Sequence, residues 1–177
     1  MPTFADSLSK NWNDALFYAQ ATLRQELPYW EAAIKYQCEQ NRTARHMSGL
    51  IVQAIPAEPG YIRQPEECLD ISPQEYENRV RKALNKPTSE HKHMLYRDSA
   101  GRYIRSGVYT APAEWVDTLV DGLSERIREL GFVHYTVKPY PLDSIERTTK
   151  PAAFLSPVKV TDTVVGKRYA LYVDIRW

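Results

Sequence analysis

The chain has 177 residues, of which 43% are hydrophobic and 25% charged, and its formal net charge is +1. That composition is typical of a globular protein with a real core. No apolar run approaches the roughly 20 residues that a membrane-spanning helix needs, so no membrane contact is expected. The first residues, MPTFADSLSKNWNDALF, lack a basic segment followed by an apolar one, so the sequence predicts no secretion by a signal peptide.

The N-terminal part carries two helical patterns separated by a proline. Apolar residues from Trp12 onward recur at helical spacing, which predicts an amphipathic helix over about residues 6 to 27. Pro28 then fits the first position of a second helix. The two helices are expected to form a helical hairpin, with Trp12, Trp30 and Tyr36 in its core rather than at an aromatic binding site.

A short apolar run, a loop and a helix come next. Gly49 to Ile55 is apolar and fits either a buried strand or a helical turn. Residues 56 to 65, PAEPGYIRQP, contain three prolines, which predicts an irregular loop or a partner-contacting arm. Ser72, Pro73 and Glu75 predict a helix start, with a capping serine, a proline at the first position and a glutamate at the third.

The middle of the chain is basic and has the pattern of a β-hairpin. Strand-like residues between 91 and 106 flank a turn at Asp98 to Gly101. Residues 1 to 78 carry 11 acidic and 6 basic side chains, whereas residues 79 to 106 carry 2 acidic and 8 basic ones. The basic segment predicts a positive surface that could bind a phosphate backbone, or that neutralises the acidic first third within the chain or across a subunit contact. The candidate nucleic-acid or phosphate contacts are Arg79, Arg81, Lys82, Lys92, Arg97, Arg102 and Arg105.

The last third predicts one long helix and a small sheet. Pro112 to Leu130 has the strongest helical stripe in the chain. Phe132 to Val137 is expected as a strand, and the two prolines that follow are expected to interrupt its pairing. Further strands are predicted near residues 152 to 160 and 168 to 177, joined by a turn that contains Gly166.

The last ten residues alternate without a slip between two faces of a strand. Because the pattern reaches the final residue, this strand is expected at a sheet end or edge, with its outer face available to a partner. The inward row is expected to pack on the long helix, joining Tyr169, Leu171, Val173, Ile175 and Trp177 to Trp115, Leu119 and Leu123.

Together these elements predict an α+β protein. It has an N-terminal helical hairpin, a central helix and β-hairpin, and a small mixed or antiparallel C-terminal sheet covered by one long helix. The parts are residues 1–55, 56–111 and 112–177, and they are expected to form one compact domain.

The sequence has no specific catalytic signature. It contains no nucleophile elbow, P-loop, Rossmann glycine fingerprint or zinc-protease motif. His134 and Thr136 resemble the His-x-Thr element of two-histidine phosphoesterases, but that family needs two such elements and the chain has one. Cys38 and Cys68 match no zinc pattern and are expected to be free buried thiols. No catalytic residue, metal or cofactor is therefore predicted, and the sequence favours a non-enzymatic protein.

The order of elements in the final third carries a resemblance. From Trp115 to Trp177 the chain has a long amphipathic helix, a strand, a polar link, and then PAAFLSPVKV and RYALYVDIRW. This order resembles the tail terminator and head-tail connector proteins of tailed bacteriophages. The resemblance implies a virion or cytoplasmic protein that forms a ring with copies of itself and other assembly proteins, with DNA passing through.

Two functions follow from these observations. The first is a structural protein that forms oligomers, since segregated charge, a proline-rich arm and a strand that reaches the last residue suit docking by complementary charge and strand addition. The alternative is a nucleic-acid-binding protein or nucleic-acid-directed enzyme that uses the basic surface at residues 79–105.

Overall fold

The computed structural model describes residues 1–53, 61–153 and 156–177. In these ranges the helices are α1 (Phe4–Gln40), α2 (Pro73–Lys82) and α3 (Ala113–Glu129), with a short 3₁₀ helix at Pro65–Cys68. The strands are β1 (His46–Ile51), β2 (Ile62–Arg63), β3 (His91–Asp98), β4 (Tyr103–Ile104), β5 (His134–Lys150) and β6 (Lys159–Arg176). They form an antiparallel sheet in the order β2-β1-β6-β5-β3-β4. The predicted combination of helices with a sheet is confirmed.

The chain divides into two compact units, each drawn from separate stretches of sequence. Unit 1 comprises Met1–Pro65, Gly107–Tyr140 and Tyr169–Trp177. Unit 2 comprises Glu66–Ser106 and Pro141–Arg168.

The core of unit 1 lies between the sheet and the helices α1 and α3. Three inward side chains of β6, Leu171, Val173 and Ile175, are completely buried there. Tyr169 and Trp177 pack at the margin of the same cluster. This arrangement confirms the predicted contact between the closing strand and the long helix. The closing strand is not an edge strand, however, because β6 lies between β1 and β5 in the sheet. The central members of the cluster are Val116, Leu119, Leu123, Leu171, Val173 and Ile175.

The predicted N-terminal helical hairpin is wrong, because α1 is one continuous helix of 37 residues with Pro28 inside it. An interior proline costs about 3 kcal/mol, since it removes a backbone hydrogen bond and its ring crowds the preceding turn. Burial of Trp30 and Ile34 in the core beyond the proline offsets that cost, at about 1.5–3 kcal/mol for each large apolar side chain. Tertiary packing therefore outweighs the local helix-breaking signal.

The described part of the apolar run after α1 begins in a strand. Its first residues belong to β1, which pairs with β2 on one side and with β6 on the other. The predicted loop at residues 56–65 falls partly on residues 54–60, which lie outside the described residues. The remainder contains β2, so this part is more regular than expected.

The structure also corrects the predicted strands of the last third. β5 continues through Pro139 and Pro141, where an interruption is expected from the sequence. Within β5, the residues that pair with β3 are 142–149, so this ladder requires no hydrogen bond from Pro139 or Pro141. Gly166 lies inside β6 rather than in a turn, and the predicted strand at residues 152–160 is replaced by the start of β6 at Lys159, with residues 154–155 outside the described part.

Local signals are accurate in unit 2. The Ser72 hydroxyl accepts the Glu75 backbone N–H at 3.3 Å, and Pro73 begins α2 as predicted. The predicted hairpin is formed by β3 and β4. The Asp98 carboxylate holds its turn together by accepting the backbone N–H groups of Ala100 and Arg102 at 3.0 and 2.9 Å.

The long helix of unit 1 also lies close to its prediction. α3 begins at Ala113, after Pro112, and Gly131 closes it in the left-handed conformation at φ 93°. No helix in the described ranges is long and apolar enough to cross a membrane.

Candidate functional site

The residues predicted to contact nucleic acid all lie in unit 2, and most of them are ion-paired there. Arg97 contacts Asp143, Arg102 contacts Asp98 and Glu66, and Lys92 contacts Glu90 and Glu146. On α2 the arginines pair with glutamates one turn earlier, Arg79 with Glu75 and Arg81 with Glu77. Three of the acidic partners, Glu66, Glu75 and Glu77, lie in residues 1–78, so these contacts agree in part with the alternative that the basic segment neutralises the acidic first third within the chain.

Lys82 and Arg105 make no ion pair among the described residues. Unit 2 as a whole has 13 basic and 10 acidic residues, so it retains a small positive excess. Nucleic-acid binding by this segment stays a prediction.

Sequence reasoning missed the apolar surface on the first turns of α1. Phe4, Leu8 and Trp12 are 79%, 53% and 64% exposed. Spacings of four residues place them in one row along the helix, which we call the apolar stripe. Trp30 is in the core as predicted, but the prediction for Trp12 is wrong, and Tyr36 is 37% exposed.

The apolar stripe stands on a helix that is well capped at its start. The Thr3 hydroxyl accepts the Asp6 backbone N–H at 3.2 Å, and the Thr3 backbone N–H donates to the Asp6 carboxylate at 2.7 Å. The Thr3 hydroxyl also donates to the Asp6 carboxylate at 2.8 Å, and the two bonds that this carboxylate accepts lower the pKa of Asp6, the one from the Thr3 backbone most strongly. The capping box therefore favours helix from the first turn, with the three apolar side chains on one face.

The face of α1 that carries the apolar stripe is buried in the core farther along the helix. Farther along the same helix, Ala19 is completely buried, while Leu23 and Leu27 pack at the edge of the cluster that contains Trp30. The same helical face that α3 and the sheet cover in the second half of α1 is open to solvent in the first half. Periodicity alone shows an apolar face, but it cannot show where the covering elements end.

A shallow apolar groove lies between α1 and α3, also within unit 1. It has a volume of about 450 Å³, and its lining includes the apolar residues Leu27 and Pro28 together with the aliphatic stems of charged side chains. We call it the α1–α3 groove; its lining residues are Arg24, Leu27, Pro28, Glu31, Arg126 and Glu129.

The charged groups at the rim of the α1–α3 groove are largely paired with one another. Arg126 donates to the carboxylates of Glu31 and Glu129, each at 2.7 Å. Lys35 approaches the Glu31 carboxylate at 2.6 Å, and its hydrogen bond, followed by that of Arg126, lowers the pKa of Glu31. An apolar side chain could enter the groove without leaving these charges unpaired.

A second, polar groove follows the outer face of the sheet in unit 1. Tyr140 stacks on Tyr172 with ring centroids 6.5 Å apart, and the Lys138 ammonium lies 5.0 Å from the Tyr172 ring. His134 and Thr136 line this groove, so the His-Tyr-Thr sequence is on an open strand surface. Its chemistry suits polar or charged ligands, because aromatic and charged side chains form most of the lining.

Unit 2 contains a buried polar cluster around Arg147. The guanidinium donates to both Asp162 carboxylate oxygens at 2.8 and 2.9 Å, and the Tyr76 and Tyr103 rings lie 5.5 and 5.1 Å from its carbon. Burial, and then the positive charge of Arg147, lower the pKa of the neighbouring His93. Because Arg147 has no exposed surface, this cluster is placed to hold unit 2 together rather than to meet a large ligand.

The described residues provide few components for catalysis. They include no group of three histidine, cysteine or acidic side chains placed to hold a metal ion. Neither cysteine is in a disulfide bond, and burial raises the pKa of the Cys38 thiol to about 11. A thiol with that pKa is almost entirely protonated near neutral pH, so Cys38 is a poor nucleophile.

Comparison of the chain with protein-family models, with curated proteins and with solved structures gives no match.

Proposed function

We propose that this protein is a non-enzymatic assembly protein that forms oligomers through the first turns of α1. The observation that carries the proposal is the apolar stripe, three large side chains in one row that are each more than half exposed. A contiguous exposed apolar patch with polar surroundings is typical of a protein interaction site. Single exposed apolar residues are common on any surface, but an ordered row on a capped helix is not.

The stripe has the form of a helix that binds in a groove. Anchors that recur every three or four residues are the usual contacts of an amphipathic helix with an apolar groove on its partner. The residues beside the anchors are uncharged, with Ser7 and Asn11 on one flank and Ser9 and Asn13 on the other. Burial of this face therefore removes apolar surface from water without stripping water from a charge.

The setting we propose for this assembly is the head-tail junction of a tailed bacteriophage, as a tail terminator or connector. What supports it is the order of elements from Trp115 to Trp177, in which α3 covers a sheet containing two long strands. In this proposal the partners are further copies of the chain and other virion assembly proteins.

Light scattering after size-exclusion chromatography of the whole chain tests the proposal. We expect the wild type to have a mass of two or more chains at micromolar concentration, and Phe4→Ser/Leu8→Ser to shift toward the monomer. Phe17→Ser is the matched control, because Phe17 is 61% exposed but lies two and a half turns from Leu8, on the opposite side of α1. A wild type that remains monomeric at the highest soluble concentration would overturn the proposal.

A further inference from the structure

We infer that the partner of the apolar stripe is the α1–α3 groove of a second copy of this chain. The inference rests on the proposed function and specifies its contact. Phe4, Leu8 and Trp12 are exposed apolar side chains in one row, whereas Leu27 and Pro28 line a shallow apolar groove. One chain therefore carries both halves of a helix-in-groove interface.

The two halves cannot meet within one molecule. Both are on α1, which is a single continuous helix from Phe4 to Gln40. Leu8 and Pro28 are separated by about 20 residues, and a helix rises 1.5 Å per residue, so the stripe lies about 30 Å from the groove. The groove of one copy can accept only the stripe of another.

Size and charge fit this contact. The groove volume of about 450 Å³ accommodates one or two large side chains, such as an indole or a phenyl ring. Its rim has two basic and two acidic side chains, so its net charge is zero, and the flanks of the stripe are uncharged. Arg24 at the rim is also placed to lie over an aromatic ring of an incoming helix.

A contact between two different surfaces of the same chain leaves one free stripe and one free groove in an assembly until that assembly closes. It closes either as a two-fold dimer, in which each copy places its stripe in the groove of the other, or as a ring. Both arrangements differ from a symmetric pairing of two stripes, because each contact needs an intact groove.

Two variants test the inference, one with a defective apolar stripe and one with a defective α1–α3 groove. Trp12→Ser removes the largest anchor of the stripe, and Pro28→Lys places a charged side chain in the apolar lining of the groove. Phe17→Ser and Gln25→Lys are the controls, since both positions are exposed on α1 outside the two surfaces. Lysine is a good helix former and position 28 is exposed, so Pro28→Lys is expected to fold, which circular dichroism checks.

The masses are measured by light scattering for each whole-chain variant alone and for an equimolar mixture. We expect each defective variant alone to associate at least tenfold more weakly than the wild type, and both controls to assemble normally. The mixture should form dimers and nothing larger, because the stripe of Pro28→Lys can enter the groove of Trp12→Ser and no second contact remains.

The other outcomes are distinguishable. If Pro28→Lys assembles like the wild type while Trp12→Ser does not, the groove is not the partner and the inference is wrong, although the proposed function stands. If both variants are monomeric and their mixture is too, the contact between stripe and groove is wrong. If the wild type itself is monomeric, the proposed function fails together with the inference.

Discussion

Arg147 in unit 2 is a charged side chain with no exposed surface, so its stability depends on its partners inside the protein. Removing a guanidinium from water costs several kcal/mol, and only close, well-oriented partners recover that energy. Asp162 provides two hydrogen bonds, and its own side chain is only 7% exposed. The Tyr76 and Tyr103 rings add cation–π contacts on the guanidinium.

Loss of Arg147 alone should therefore be severe. We expect Arg147→Met to lower the free energy of unfolding by about 3–5 kcal/mol, because the Asp162 carboxylate is left buried without its cation. Urea denaturation followed by circular dichroism measures the change.

Two further variants separate burial from pairing. Arg79→Met breaks an ion pair with Glu75 in which both side chains are more than half exposed, and it should cost no more than about 1 kcal/mol. Arg147→Met/Asp162→Leu replaces both charges by apolar groups and should regain most of the lost stability. A single Arg147→Met variant as stable as the wild type would contradict this account.

At the level of elements, local chemistry predicted some helices well. α2 follows from Ser72, Pro73 and Glu75, and the end of α3 follows from Gly131, because caps are determined by residues close in sequence. The turn of the β3–β4 hairpin is equally local, since Asp98 contacts the two residues that complete it.

Elements containing proline were not predictable in the same way. Pro28 marks a helix end in isolation, but α1 continues because distant residues bury its second half. Pro139 and Pro141 predict a strand end, but β5 continues through both. This is possible because β3 pairs with β5 only from Leu142 onward, so that ladder needs no N–H from either proline. Both outcomes depend on which neighbour is present, and no local window of sequence contains that information.

Gly49 in β1 is also constrained by a neighbour that is distant in sequence, the strand β2. A Cβ atom at this position would lie 2.4 Å from the backbone carbonyl oxygen of Arg63 in β2, and the backbone φ is 150°. The sequence shows only a glycine at the start of an apolar run, because the close approach depends on the register of β1 with β2.

We expect Gly49→Ala to lower the free energy of unfolding by about 1–3 kcal/mol, since the added methyl group must displace backbone atoms. Gly107→Ala is the matched control, because a Cβ there has no atom within 4 Å. It should be neutral or slightly stabilising, by less than about 1 kcal/mol. Thermal denaturation of the two variants side by side gives the comparison, and equal midpoints would show that β2 can move away freely.

At the scale of the whole molecule, the correction to α1 explains why the candidate site was missed. A helical hairpin would place a second helix against Trp12 and its neighbours. An apolar face in that region is then predicted to be buried in the core. A continuous α1 cannot fold back, and the same face is left open. The sequence therefore predicted an oligomer from segregated charge, whereas the structure offers an apolar stripe and an uncharged route to association.

The response to salt distinguishes these two routes to association. Debye screening weakens attraction between exposed charges as ionic strength rises from about 0.05 M to about 0.5 M, whereas burial of apolar surface is unaffected or slightly strengthened. If assembly uses the apolar stripe, the association constant should change less than about twofold over this range, measured by sedimentation equilibrium. Docking of residues 1–78 on residues 79–106 of another copy joins segments of net charge −5 and +6, and it should weaken by more than tenfold. A steep loss of association with rising salt would therefore show that the interface is formed by the basic segment and not by α1. Lys82 and Arg105 would then be the first residues to replace.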